Sequence, residues 1–319
     1  MKFQMENKKM TDKKKTIMIA LGGNALIKKE QKGTAEEQFE NLRKPMEIIA
    51  KLSRDYQVVI THGNGPQVGN LLLQQESCDA VPKMPLDIVG AESQGQIGYM
   101  IESCLDTALM KIGIVDSQPV VTLITYTVVD KDDPMFQSPT KPIGPFYTKK
   151  QADKLSYRMV ETLHGYRRVV ASPEPVTIIN HREIKQLIDI NFIVICCGGG
   201  GIPVVREGKS FRGVDAVIDK DLASSLLASE IKADIFVAAT DEKGVYVDFG
   251  KPGQRLIKKM DVEQARQHIA DGQFPAGSMK PKVKAAVKFV EATGKRAVIT
   301  ALDDIYEAVT GETGTTVVR

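Results

Sequence analysis

The sequence predicts an α/β protein, a mostly parallel sheet covered by helices on both faces. Apolar, β-branched runs of strand length alternate with longer segments of helical spacing nearly throughout the 319 residues. Several of these runs are apolar at every position, the pattern of strands buried on both faces. Three of them end directly in glycine clusters, and open α/β sheets bind ligands beyond the carboxyl ends of their strands.

In chain order, the first strand is expected at 16–21 (TIMIAL), running into Gly22-Gly23-Asn24. Helical spacing follows at 35–54. The second strand, 57–61 (QVVIT), runs into His62-Gly63-Asn64-Gly65-Pro66, and Pro66 suits the first position of a helix expected at 66–77. A helix at 91–111 precedes a long apolar run at 120–129 (VVTLITYTVV). Residues 130–150 break the rhythm, with four prolines, a charge cluster and no clear periodicity. An unstructured stretch of about 20 residues inside a compact domain is unusual and often functional. It is read as the start of a small protruding lid subdomain reaching to about 178. The strand at 192–197 (FIVICC) then runs into Gly198-Gly199-Gly200-Gly201. A helix at 214–230, a strand at 235–239, helices at 261–270 and 281–292 and a strand at 296–301 complete the alternation.

Length and composition bound the function classes. A chain of 319 residues suggests two domains at roughly 150 residues each. An apolar content of 42% excludes disorder as the main state. No apolar run approaches the roughly 18 residues of a membrane-spanning helix, so a membrane partner is not expected. The net charge of +3 is uneven: residues 1–15 hold six lysines against Glu6 and Asp12, and the rest of the chain carries a net −1. Residues 1–15 are therefore read as a disordered basic tail, and a nucleic-acid partner is not indicated. The cysteines at 78, 104, 196 and 197 are read as reduced thiols of a cytoplasmic protein, and no metal site built from side chains is expected.

Glycine lets backbone amides approach a ligand, and a helix N-terminus adds aligned N–H donors and partial positive charge. Several such ends converging suit anions, phosphate in particular. Two familiar phosphate signatures fail on inspection. Gly208-Lys209-Ser210 resembles the end of a Walker A loop but has Pro203 where glycine is needed. Asp248-Phe249-Gly250 spells a protein-kinase triplet, yet His181-Arg182-Glu183 lacks the catalytic aspartate.

Phosphoryl transfer asks a protein mainly to position reactants and neutralise charge. A lysine about 4 Å from a phosphate oxygen is worth about 4 kcal/mol at an effective dielectric near 20. Lys220 stands between Asp219 and Asp221 at an expected helix start. Lys282 also opens a helix, where a cation disfavours the helix and a bound anion would relieve the conflict. Lys141 lies in KPIGP, whose prolines and glycine restrict the backbone that aims it. Asp219 and Asp221 suit orienting the lysines, holding metal-bound water or capping a helix; Asp241 suits contact with a ribose or base, or a plain turn; and His62 is read as packed or hydrogen-bonded.

These residues together give a resemblance to the amino acid kinase family, and within it to the carbamate kinase branch. It rests on LGGNAL (21–26), THGNGPQVG (61–69), KPIGP (141–145), RRVVASP (167–173), CGGGGIPV (197–204), VDAVIDKDLAS (214–224), TDEKGVY (240–246) and GSMKPKV (277–283). The resemblance implies a three-layer αβα sandwich whose sheet runs through two lobes. Residues 16–195 would form the carbamate-binding lobe, carrying the lid, and 196–319 the nucleotide-binding lobe. It implies transfer between ATP and carbamate, giving ADP and carbamoyl phosphate, and operating toward ATP synthesis in fermentative arginine breakdown. It further implies Mg²⁺ held mainly by nucleotide phosphates, a homodimer and a cytoplasmic location.

Carried over by motif, Gly22, Gly23, Asn24, Gly63, Asn64 and Gly65 would cradle carbamate and the moving phosphoryl group, with Gly199 and Gly200 bordering the cleft. Lys141, Lys220 and Lys282 would contact phosphate oxygens, organised by Asp219 and Asp221. Asp241, Tyr246, Gly277, Ser278 and Met279 would surround the nucleotide. Two departures stand out: Lys280 replaces an expected glycine, and Leu163-His164-Gly165-Tyr166 replaces an expected glycine-rich, tryptophan-bearing segment. A nucleotide- or metabolite-sensing module without turnover, or a kinase for another small carboxylic acid, are the alternative readings. ATP formation from ADP and carbamoyl phosphate separates them.

Overall fold

Alternate side chains of the strand Lys15–Leu21 fill two different cores. Ile17, Ile19 and Leu21 point into one, and Met18 and Ala20 into the other. A strand with both faces buried must be central, and a computed structural model, which describes residues 14–28, 30–275 and 277–319, places it so. Across the main sheet the strands run Lys259–Asp261, Thr315–Val318, Ala297–Ala301, Ile235–Thr240, Lys15–Leu21, Tyr56–His62, Ile193–Ile195 and Val120–Thr122. Neighbours are parallel except Thr315–Val318, which runs antiparallel to Ala297–Ala301.

Helices close both faces, giving the expected three layers. On one side lie Ala35–Leu52, Leu86–Lys111 and Ile305–Thr310, contributing Leu42, Met46, Ile97, Ile101 and Ile305 to the core. On the other lie His181–Asp189, Lys220–Glu230 and Met279–Thr293, contributing Ile184, Leu227, Val283 and Phe289. Each fully buried aliphatic side chain of this kind is worth about 1.5–3 kcal/mol. Local signals set the helix starts: Thr34 and Glu37 form a reciprocal capping box before Ala35, and the Asp219 carboxylate caps Lys220–Glu230. Among the described residues, no helix is long and apolar enough to cross a membrane.

Several expected boundaries move. The apolar run at 120–129 is two strands in two sheets: Val120–Thr122 ends the main sheet, and Tyr126–Val129 joins Ser210–Gly213, Ile202–Glu207 and Pro175–Ile178 in a second one. The break comes where the Gln94 side chain takes over the Thr125 backbone, accepting from its N–H at 2.9 Å. The helix expected from 214 starts only at Lys220, because Asp219 stops its backward extension. Lys15 opens the first strand and the Lys14 ammonium bonds the Ser53 carbonyl at 2.9 Å. The rest of the expected basic tail lies outside the described residues.

After Tyr126–Val129 the chain forms a separate antiparallel sheet of Lys141–Tyr147, Gly165–Val170 and Met159–Thr162, then returns through Pro175–Ile178. Among the polar ties that join this small sheet to the body, two are short. Tyr147 donates to the Glu76 carboxylate at 2.8 Å, and Arg168 grips both Asp215 oxygens at 2.5 and 2.7 Å.

The strand Ile193–Ile195 leaves the sheet through a turn that bends sharply. Cys197 adopts a left-handed conformation at φ 50°, and Gly199, Gly200 and Gly201 follow at 64°, 92° and 85°. A Cβ on Gly200 would lie 2.7 Å from the Ile218 carbonyl oxygen, a rigid backbone atom. Replacing Gly200 with alanine is therefore expected to cost on the order of 2 kcal/mol or more of stability, read as a lower midpoint in chemical denaturation. An unchanged midpoint would show that this turn relaxes freely.

Candidate active site

The parallel strands all deliver their carboxyl ends to one edge of the sheet. Sheet order therefore lays the turn after Thr240, the Gly22-Gly23 turn and the Gly63-Asn64-Gly65 turn side by side. Above them opens a cavity of about 520 Å³, within the range of small-molecule sites. Its walls come from the strand-end turns, the starts of Lys220–Glu230 and Met279–Thr293, and the small antiparallel sheet.

At its centre is one buried carboxylate. Asp221 accepts from the Lys220 ammonium at 2.6 Å and from the Lys282 ammonium at 3.0 Å, using a different oxygen for each. The two lysines open different helices, so Asp221 fixes the helix starts relative to each other. Its neighbour Asp219 divides its oxygens. One caps the helix by accepting from the Asp221 and Leu222 amides at 3.0 and 3.3 Å, and the other faces the Lys141 ammonium at 3.5 Å. The conflict of a lysine at a helix N-terminus is thus partly relieved by Asp221, before any ligand binds.

Electrostatics follow from this burial. Burial pushes the Asp221 carboxyl upward, but the adjacent Lys220 and Lys282 charges outweigh it, and the net shift is downward. Burial pushes Lys220 down to about 8, against the pull of Asp221 and with the repulsion of Lys282. His62 is pushed down to about 4 by burial, so it is neutral at pH 7, with its Nδ1 3.1 Å from the Gly63 carbonyl oxygen. It packs beneath Gly198 and is not aimed at the cavity.

The structure brings most of the sequence-derived candidates into this one cavity. Lys141, Lys220, Lys282, Asp219 and Asp221 line it, as do Gly22, Gly23, Gly63, Asn64, Gly65 and Gly199. Asp241, Tyr246, Gly277, Ser278 and Met279 line it as well. Gly200 does not: it lies beneath, with its carbonyl accepting from Thr127 Oγ1 at 2.8 Å, and shapes the turn that carries Gly199. The Asn64 amide lies over Gly199, where a Cβ would come within 2.2 Å of it, and donates to Ser93 Oγ at 2.8 Å. The side chain of Asn24 is outside the described residues.

Other lining residues escaped the sequence reading. Arg167 belongs to a segment singled out as a motif but given no role. Phe249 belongs to the triplet set aside as a false protein-kinase signature, yet it sits edge-on to Tyr246 at 5.9 Å, forming an aromatic corner. Gln273 and Phe274 carried no local signal, because only the fold brings their loop to the cavity. Lys280 is exposed and does not line the cavity.

Four cations, Lys141, Arg167, Lys220 and Lys282, thus share one cavity with the carboxylates of Asp219 and Asp221, together with glycine turns and an aromatic corner. Such a site can hold anions that repel each other and stabilise charge as it moves between them.

Comparison with known proteins agrees with this chemistry. A sequence model described as the amino acid kinase family matches residues 15–301. A carbamate kinase of Thermococcus kodakarensis is 49% identical over 315 residues, covering 96% of this chain and 99% of that protein. Carbamate kinase 2 of Staphylococcus aureus is 45% identical, covering 95% and 98%. The structure of a carbamate kinase from Giardia lamblia bound to AMP-PNP superposes with a TM-score of 0.89 at 42% identity, covering 96% and 98% of the two chains. The chain therefore belongs to the amino acid kinase family and, within it, to the carbamate kinases.

Proposed function

We propose that this phosphotransferase catalyses ATP + carbamate = ADP + carbamoyl phosphate, operating toward ATP synthesis in the arginine deiminase pathway. The observation that carries the reaction is the pairing of Lys220 and Lys282 on Asp221 in a cavity walled by glycine turns from both lobes. A carbamate oxygen attacks the γ-phosphorus, the bond to the β,γ-bridging oxygen breaks, and ADP leaves. The nucleophile is already anionic, so no side chain need remove a proton, which suits a site whose nearby histidine is buried and neutral.

In this reading the backbone at Gly22, Gly23, Asn24, Gly63, Asn64 and Gly65 cradles the acceptor and the moving phosphoryl group, and Gly199 keeps Asn64 in place. Lys220 and Lys282 hold phosphoryl oxygens, Lys141 approaches from the lid, and Asp219 and Asp221 organise the three. Asp241, Tyr246, Gly277, Ser278 and Met279 surround the nucleotide, and the AMP-PNP complex of the Giardia lamblia relative supports a nucleotide as substrate. Residues 16–195 act as the acceptor lobe, 130–178 as its lid and 196–319 as the nucleotide lobe.

The carboxylates fit a Mg²⁺ carried mainly by nucleotide phosphates. Asp221 is committed to two lysines, and among the described residues no group of three His, Cys, Asp or Glu side chains could enclose a metal. Asp219, Asp241 and Glu242, which all line the cavity, would face such an ion. The ion would neutralise charge on the β- and γ-phosphates. A homodimer is supported by apolar side chains left outside on Leu86–Lys111, notably Tyr99 and Met110. A cytoplasmic location completes the proposal.

A coupled assay supplying ADP and carbamoyl phosphate should show ATP formation; no ATP from the folded protein overturns the proposal. In that assay Lys220→Ala or Lys282→Ala is expected to lower kcat on the order of 10²–10³-fold, as for loss of one preorganised electrostatic donor. Near-normal turnover in both variants would remove their roles. The pH dependence has a definite sign. With its pKa lowered to about 8, Lys220 is charged below that pH and neutral above it, so kcat/KM should be level below about 8 and fall as pH rises further. A level profile to well above pH 9 would contradict this. Asp221→Asn leaves two ammonium groups without their buried partner and is expected to cost about 3–5 kcal/mol, read by chemical denaturation. A variant as stable as the parent would show that the lysines separate without penalty.

A further inference from the structure

Arg167 and Arg168 are neighbours on the strand Gly165–Val170, so their side chains leave on opposite faces. Their surroundings differ. Arg168 grips Asp215 through both carboxylate oxygens and lies over the Tyr157 ring at 4.1 Å. Arg167 faces the cavity, where its Nη2 donates to the Gly144 carbonyl at 2.9 Å and its guanidinium lies 5.1 Å from the centre of the Phe146 ring. Its Nε is buried with no hydrogen-bond partner, and no carboxylate pairs with it among the described residues. The three cavity lysines, by contrast, each face Asp219 or Asp221. A guanidinium carries five N–H donors in a planar fork, and a buried donor left unmatched costs roughly 1–3 kcal/mol. Arg167 is therefore the cavity cation with the most unmet demand for an anion.

Its position indicates which anion. Arg167 holds Gly144, and Gly144 lies against Gly69, where an added Cβ would come within 3.8 Å of it. Gly69 belongs to the helix Gly65–Glu76, whose first turn, with Asn64, lines the cavity where the proposed function puts the acceptor. A planar fork matches a planar carboxylate with two parallel hydrogen bonds, which a lysine cannot do. We propose that Arg167 recognises the acceptor, its fork meeting the O–C–O edge of carbamate and the corresponding carbonyl and bridging oxygens of carbamoyl phosphate. This rests on the carbamate kinase reading above and adds the residue that selects the acceptor.

The test uses the full-length protein in the ATP-forming direction, with Arg167→Ala, Arg167→Met and Arg167→Lys beside the parent. Losing a charge-assisted pair should raise KM for carbamoyl phosphate on the order of 10- to 100-fold in the Ala and Met variants, with KM for ADP changed less than about twofold. The Lys variant should recover only part of the loss, since it restores charge without the fork. An unchanged KM for carbamoyl phosphate in an active parent overturns the inference and leaves the activity standing. So does a fall confined to kcat, which would assign the guanidinium to the moving phosphoryl group, or full rescue by lysine. Equal loss toward both substrates with a lowered melting temperature in both the Ala and Met variants would make Arg167 a packing residue and overturns it too. A parent that forms no ATP overturns both readings together.

Discussion

One buried carboxylate holds the centre of this molecule together. Asp221 lies between two ammonium groups that would otherwise repel each other, each at the start of a helix whose own dipole disfavours it. Burying charge is costly, and such a triad persists only because every member has a close opposite partner. The arrangement also links the starts of Lys220–Glu230 and Met279–Thr293. Under the proposed function, a phosphoryl group arriving there would meet two cations already in position, leaving little reorganisation for the moment of reaction.

The three lysines are held with different firmness, and the difference is physical. Lys220 and Lys282 are nearly buried, and their bonds to Asp221 are screened little by water. Lys141 is 41% exposed and stands 3.5 Å from Asp219, a contact worth about 1 kcal/mol at most. Asp219 itself is committed chiefly to capping its helix. The body lysines are thus fixed, while the lysine of the small antiparallel sheet rests on a weak tie. That suits the proposed role of Lys141 as a group that approaches after a ligand has entered.

Much of the fold was legible because burial on both faces leaves a strong mark. TIMIAL and IFVAA read as strands, and in the structure both are central. The run at 120–129 misled because apolar continuity does not reveal where a chain changes sheets; a Gln94 side chain from a distant helix makes that decision. Much of the candidate site was legible too, since glycine turns and lysines at helix starts leave signals within a few residues. Gly200 was placed at the cleft by motif together with Gly199, but only its positive φ and the nearby Ile218 carbonyl reveal a turn-shaping role. Phe249 and Gln273 line the cavity through loops whose local sequence says nothing about where they go.

By itself the sequence determined the layer architecture, the glycine-rich strand ends and the chemical type of ligand, because each depends on periodicity or on residue type at short range. Tertiary structure alone decided that Lys282 bonds a carboxylate 61 residues away, Asp221, and shares it with Lys220, and that Arg167 faces the cavity while Arg168 is tied to Asp215. Those outcomes are set by which helix starts and strand faces the sheet order brings together, and the Coulomb energy that ranks them depends on distances and burial that no local pattern encodes.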